Sequence, residues 1–186
     1  MNEQMLMNTA LAMVKKGRGI LAADESTPTI GKRFDQIGVD STFETRNEYR
    51  DMLFTANGME DYISGVIMFD ETLRQSSTCD ANIPFIKLLS DKDVLPGIKV
   101  DTGAKDLAGS KDEKITEGLD GLRDRLQEYY SLGARFAKWR AVITIGDDIP
   151  SEHCIVANAH ALARYASLCQ ESNIVPIVEP EVLMDG

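Results

Sequence analysis

Two cations stand two residues apart in the stretch Phe136-Ala137-Lys138-Trp139-Arg140, and chemistry can begin there. In a β-strand the period of two puts Phe136, Lys138 and Arg140 on one face and Ala137, Trp139 and Ala141 on the other. The second face carries the only tryptophan of the chain and the flanks are apolar, so the spacing predicts a strand covered on both sides rather than a wet edge. An ammonium in a partly dry cleft can stabilise developing negative charge. One with a lowered pKa can instead attack a carbonyl and form a Schiff base. On the residues alone Lys138 is the first candidate for that nucleophile and Lys99 the second.

Four other apolar runs also close on charge. Residues 20–23 end on Asp24, 63–69 on Asp70 and Glu71, and 175–178 on Glu179 and Glu181. In 96–101 the alternation puts Lys99 and Asp101 on one face. Opposed charges at one rim shift each other's pKa, so a single site can hold an acid, a base and an electrostatic stabiliser near neutral pH. Without convergence, the same residues are ion-pair partners or solvated strand ends.

Helical segments separate the five runs. Residues 1–16 are amphipathic and stop at Gly17 and Gly19, and Thr27-Pro28 suits a first helical turn. Ser41-Thr42-Phe43-Glu44 has capping-box spacing before a helix that Gly58 would end, with Arg46 and Arg50 one turn apart on it. Residues 83–89 suit a short helix, and 101–114 read as a Gly-, Lys- and Asp-rich loop. Leu119, Leu122 and Leu126 start a helix that runs to Gly133, and Pro150-Ser151 opens another that Ser172-Asn173 terminates.

Strands alternating with helices predict βα units and a parallel sheet, whose C-terminal strand ends gather catalytic side chains. A dinucleotide fold would want Gly-x-Gly-x-x-Gly after the first strand, where this chain has Asp24-Glu25-Ser26-Thr27-Pro28. Ala22, Gly97 and Ile177 could instead fill a barrel interior. A TIM (β/α)8 barrel needs eight strands and typically ~250 residues. The 186 residues therefore read as about the first five βα units of one, a single domain over 1–186 with no internal boundary.

The formal charge of -10 and pI near 4.7 repel nucleic acid and anionic membranes, so a phosphate site must be a local cluster of cations. Lys32 and Arg33, with Ser26 and Thr29 at a helix start, could form one; a solvated helix face is the other reading. Cys79, Cys154 and Cys169 form no CxxC pair, which suits a reducing, cytoplasmic compartment. No run reaches the ~20 apolar residues that span a bilayer. His153 and His160, seven apart, and the cysteines lack metal-ligand spacing, so neither a metal nor another cofactor is expected.

Residues 19–28 with Gly31-Lys32-Arg33, then 97–101, 117–122, 136–140, 162–166, and 175–181 with Asp185-Gly186 carry a resemblance to one family. In this order, from near residue 5 onward, the chain resembles the class I (Schiff-base) fructose-bisphosphate aldolases. The resemblance implies a metal-independent (β/α)8 barrel of glycolysis and gluconeogenesis. Its members reversibly cleave fructose 1,6-bisphosphate into dihydroxyacetone phosphate and glyceraldehyde 3-phosphate. It also implies sugar phosphates as small-molecule partners and a homo-oligomer at full length.

By resemblance Glu179 is the main proton donor and acceptor, and Asp24 takes the C4-hydroxyl proton. Lys138 stabilises developing charge, while Glu181 and Arg140 orient it and contact substrate. Lys99, Arg33 and Ser26 lie at the substrate or its C6-phosphate end, and Arg46 is a substrate-associated arginine. The Schiff-base lysine is implied on a sixth strand, beyond residue 186, which displaces Lys138 as nucleophile. The 186-residue piece alone is then expected to be inactive, with two open sheet edges that favour association. The alternative is a non-catalytic truncated barrel that binds phosphosugars or a protein partner.

Overall fold

The computed structural model describes residues 1–79 and 82–185, so Gly186 of the Asp185-Gly186 pair lies outside the described residues. The chain runs α1 (Glu3–Met13), β1 (Gly19–Ala23), α2 (Thr27–Asp35), α3 (Phe43–Phe54), α4 (Met59–Tyr62), β2 (Ile63–Met68), α5 (Asp70–Leu73), α6 (Phe85–Asp91) and β3 (Leu95–Lys99). It continues through β4 (Gly103–Asp106), β5 (Lys114–Glu117), α7 (Leu122–Leu132), β6 (Phe136–Ile143), α8 (Glu152–Glu171) and β7 (Val175–Val182).

Five strands pair in parallel in the order β1-β2-β3-β6-β7. The order follows the chain without reversal, so the winding never changes direction. A doubly wound sheet would reverse at a switch point and carry helices on both faces. Here one sheet face takes the large core: Ala23, Val66, Met68, Ile98, Ala137, Trp139 and Ala141 pack with Phe54, Phe85, Leu126, Leu162 and Tyr165 of the helices. The opposite face holds a smaller cluster in which Ile67 and Phe136 meet Met13 of α1, with Ile20, Leu95 and Ile177 beside them. Each crossover thus packs at least one helix on that same side, the layering of a barrel wall.

Phe136 explains two glycines. A Cβ on Gly97 would stand 2.3 Å from the Phe136 ring and one on Gly65 2.9 Å from it. The fully buried ring therefore lies across β2 and β3, and the absent side chains make its space. Gly97 does fill the interior as a gap that another residue occupies. Ala22 lies opposite Ile67 in register, on the same face, and is exposed along the sheet edge.

Several boundaries differ from the sequence expectation. The N-cap of α3 is Thr42, whose hydroxyl accepts from the Thr45 amide while the Thr45 hydroxyl accepts from the Thr42 amide. The reciprocal pair is thus Thr42 with Thr45, one position later than Ser41 with Glu44. Helix α3 ends at Phe54, and Gly58, at φ 76°, opens α4 instead of closing α3. Residues 101–114 are not a plain loop, since β4 and β5 form an antiparallel hairpin. Helix α6 starts at Phe85 and α7 at Leu122, leaving Ile83 and Leu119 outside them. Among the described residues no helix is long and apolar enough to cross a membrane.

Gly97→Ala should lower the unfolding free energy by about 1–3 kcal/mol through overpacking. Urea titration should show most of that loss recovered in Gly97→Ala/Phe136→Leu, and an additive double variant would contradict the packing. In the chain as given, β7 has an unpaired edge and exposes Val178 and Val182. Sedimentation velocity should therefore show concentration-dependent association, and a monomer at every concentration would oppose it.

Candidate active site

Strands β3 and β6 place Lys99 directly opposite Lys138 in register, on the face away from the crossover helices. Their ammoniums are kept apart by different carboxylates. Lys138 Nζ lies 3.4 Å from Asp24 Oδ2 and 3.3 Å from Glu179 Oε2, whereas Lys99 pairs with Asp101. Asp24 follows β1, which is three strands away from β6. In a flat sheet three spacings make about 14 Å, too far for extended lysine and aspartate side chains to meet comfortably. The contact shows that the sheet curls toward this face.

The β6–β7 pairing tells the same story along the strand direction. Glu179 stands opposite Arg140 in register yet contacts Lys138, and Glu181 stands opposite Val142 yet pairs with Arg140. Each ion pair is displaced by two residues in the same sense, as expected where strands tilt around a curved wall. Asp24, Lys138 and Glu179 thus form one ion-paired group and Arg140 with Glu181 a second, set next to it in the β6–β7 register to make a charged row.

Burial alone would push the Lys138 ammonium down, but Asp24 and then Glu179 outweigh it and its pKa is raised. An ammonium held this way is a poor nucleophile at neutral pH and a good stabiliser of negative charge. This weighs against Lys138 as the nucleophile that the residues alone put first. The hydrogen bond from Arg140 lowers Glu181 and raises Arg140 in turn. Glu179 is 34% exposed, and its Oε2 lies 3.3 Å from Lys138 Nζ.

The remaining site residues have other partners. Ser26 caps α2, and its hydroxyl lies 3.0 Å from that of Thr29 instead of bonding a helix amide. Arg33 is 58% exposed and ion-paired with Glu25. Arg46 makes a two-pronged contact with Glu71, at 2.7 Å on both arms, and donates to the Ser41 carbonyl at 3.0 Å. No contact joins Arg46 to Lys138 among the described residues.

Glu25 and Arg50 are not among the site candidates that the sequence names. Arg50, 3% exposed, lies 2.8 Å from Glu25 Oε2 and donates to the Glu25 carbonyl at 3.0 Å; burial is the main cause that lowers its pKa. Tyr49 donates to Glu25 Oε1 at 3.2 Å. These contacts brace the turn that carries Asp24 and Ser26 against α3. The available signals were the position of Glu25 next to Asp24 and that of Arg50 one turn after Arg46, but burial cannot be read from either. Grooves of about 790 and 620 Å³ lie along α8, away from the charged row. Among the described residues no group of three or more His, Cys, Asp or Glu is placed to hold a metal ion.

The family description "Fructose-bisphosphate aldolase class-I" matches residues 5–186. A probable fructose-bisphosphate aldolase class 1 of Xanthomonas campestris is 61% identical over the whole chain, which covers 55% of that protein. The cytosolic fructose-bisphosphate aldolase 5 of Arabidopsis thaliana is 56% identical over 97% of the chain and 50% of its own length. Among solved structures, a Plasmodium falciparum fructose-bisphosphate aldolase in complex with TRAP and a small-molecule inhibitor superposes with a TM-score of 0.94. Its identity is 50%, over 98% of this chain and 53% of that one. The chain spans about half the length of these relatives, and on the family match and the whole-chain identity it belongs to the class I fructose-bisphosphate aldolases.

Proposed function

We propose that these residues form the first five βα units of a (β/α)8 barrel, one domain without an internal boundary. The enzyme reversibly cleaves fructose 1,6-bisphosphate to dihydroxyacetone phosphate and glyceraldehyde 3-phosphate. The observation that carries the reading is Lys138 held between Asp24 and Glu179 across a curled parallel sheet. Membership of the aldolase family supplies the substrate class. Cytosolic naming among the plant relatives supports a cytoplasmic setting, and a homo-oligomer at full length completes the proposal.

The reaction needs an electron sink at the ketose carbonyl, which an iminium on a lysine beyond residue 186 would provide. Glu179 moves protons to and from the carbinolamine hydroxyl as the imine forms and is hydrolysed. Asp24 takes the C4-hydroxyl proton as the C3–C4 bond breaks, with the electron pair passing into the iminium. Lys138, fixed as an ammonium, stabilises the charge that develops between them. Glu181 orients Arg140, which contacts substrate together with Arg46, while Lys99, Arg33 and Ser26 receive the C6-phosphate end. No metal or other cofactor enters these steps.

The alternative, a non-catalytic partial barrel that binds phosphosugars or a protein, differs in what accompanies the chain. Intact mass and the surrounding reading frame separate the two, since a further lysine-bearing strand supports the enzyme and its absence the rival.

For the 186 residues alone, incubation with dihydroxyacetone phosphate and borohydride should give no lysine adduct by mass spectrometry, and fructose 1,6-bisphosphate cleavage should stay at background. A stable adduct on Lys138 or Lys99 would overturn the assignment of roles. The raised pKa of Lys138 also has a stability signature. Its stabilising contribution is fully present below the unfolded lysine value of about 10.4 and is lost as pH rises through the folded value. The stability difference between wild type and Lys138→Met in urea titrations should thus be constant near neutrality and shrink above about pH 10.4. A difference that grows with alkalinity would contradict the ion-paired state.

A further inference from the structure

Asp101 lies two residues past Lys99, just beyond β3, with its side chain 2% exposed. Burying a carboxylate is costly unless charge and hydrogen bonds satisfy it. Asp101 is satisfied from three elements. The Lys99 ammonium pairs with Oδ1, the Gly103 amide at the foot of the hairpin donates to Oδ1 at 3.0 Å, and the Arg140 amide of β6 approaches Oδ2 at 3.4 Å. The two backbone donors belong to the sheet and hairpin, so they fix the carboxylate, and the carboxylate fixes the lysine.

Lys99 also donates to the Asp101 main-chain carbonyl at 3.1 Å. An ammonium has three donors. Two are taken by Asp101, and the third has no protein partner among the described residues, at a side chain that is 17% exposed. The register explains why such a device is needed. Lys99 and Lys138 face each other on strands about 5 Å apart, so an unheld Lys99 would compete for the carboxylates that fix Lys138.

We propose that Asp101 is a positioning residue that sets where the Lys99 charge stands, so that Lys99 meets the phosphate end of a sugar bisphosphate while Lys138 stays between Asp24 and Glu179. Asp101 itself touches no substrate. The inference rests on the proposed function, from which the phosphate role of Lys99 comes.

Calorimetric titration with fructose 1,6-bisphosphate tests it in a double-mutant cycle of wild type, Asp101→Asn, Lys99→Met and the double variant. Asparagine keeps an oxygen for the Gly103 amide and loses the charge that holds Lys99. Asp101→Asn should weaken binding about tenfold, Lys99→Met at least as much, and the double variant no more than Lys99→Met alone. Multiplying effects would mean that Asp101 only holds the fold together. Unchanged or tighter binding by Asp101→Asn would mean that it merely competes with phosphate, and either result overturns the proposal. If circular dichroism shows Asp101→Asn unfolded, Asp101→Glu takes its place, and its loss of affinity should again vanish in the Lys99→Met background. A wild-type protein that binds nothing overturns the reading of the site along with this inference. Normal wild-type binding, weakened by Lys99→Met and indifferent to Asp101, overturns the inference alone.

Discussion

The contact between Lys138 and Asp24 constrains everything around it, because it joins residues of β6 and β1 across two intervening strands. A lysine can make that reach only if the parallel sheet bends toward it. Curvature is therefore a condition of the charged row, and the row in turn is what the bend encloses. The helices that cover the opposite face and the chain-order sequence of strands are the architecture that lets the bend continue in one direction.

Below the row the same face must be filled, since the bend brings side chains of several strands together. Phe136 does this for three strands at once by lying over Gly65 and Gly97. One large residue and two glycines replace three medium ones, a division of volume that a curved interior favours because opposite strands contribute unequally. Polar chemistry at the strand ends thus rests on an apolar floor only two residues away, from Phe136 to Lys138.

The charges nearest the site are held in pairs. Arg50 with Glu25 braces the β1–α2 turn, Asp101 holds Lys99, and Lys138 has two carboxylates. Breaking a buried pair leaves an uncompensated charge, which is much costlier than never having built the pair. Loss of any single member is therefore costly, and the pairing separates two lysines that the strand register alone would set side by side.

Much of this was legible in the residues. Strand period two placed Lys138 and Arg140 on one face with Phe136, alternation in 96–101 placed Lys99 beside Asp101, and charge at the end of each apolar run marked the rim. These signals are local, since a side chain's direction follows from backbone geometry within a few residues. Family resemblance added the roles and removed Lys138 as nucleophile, and the two carboxylates around that lysine now supply a physical reason for it. What the chain could not declare was which carboxylate meets which cation. Glu179 pairs with Lys138 rather than with its register neighbour Arg140, Arg50 is buried against Glu25, and residues 103–117 make a hairpin rather than a loop. Those choices depend on strand tilt, sheet curvature and the exclusion of water, which exist only once distant segments pack. Residue types and their period determined what could be done here, and tertiary structure decided which partners would do it.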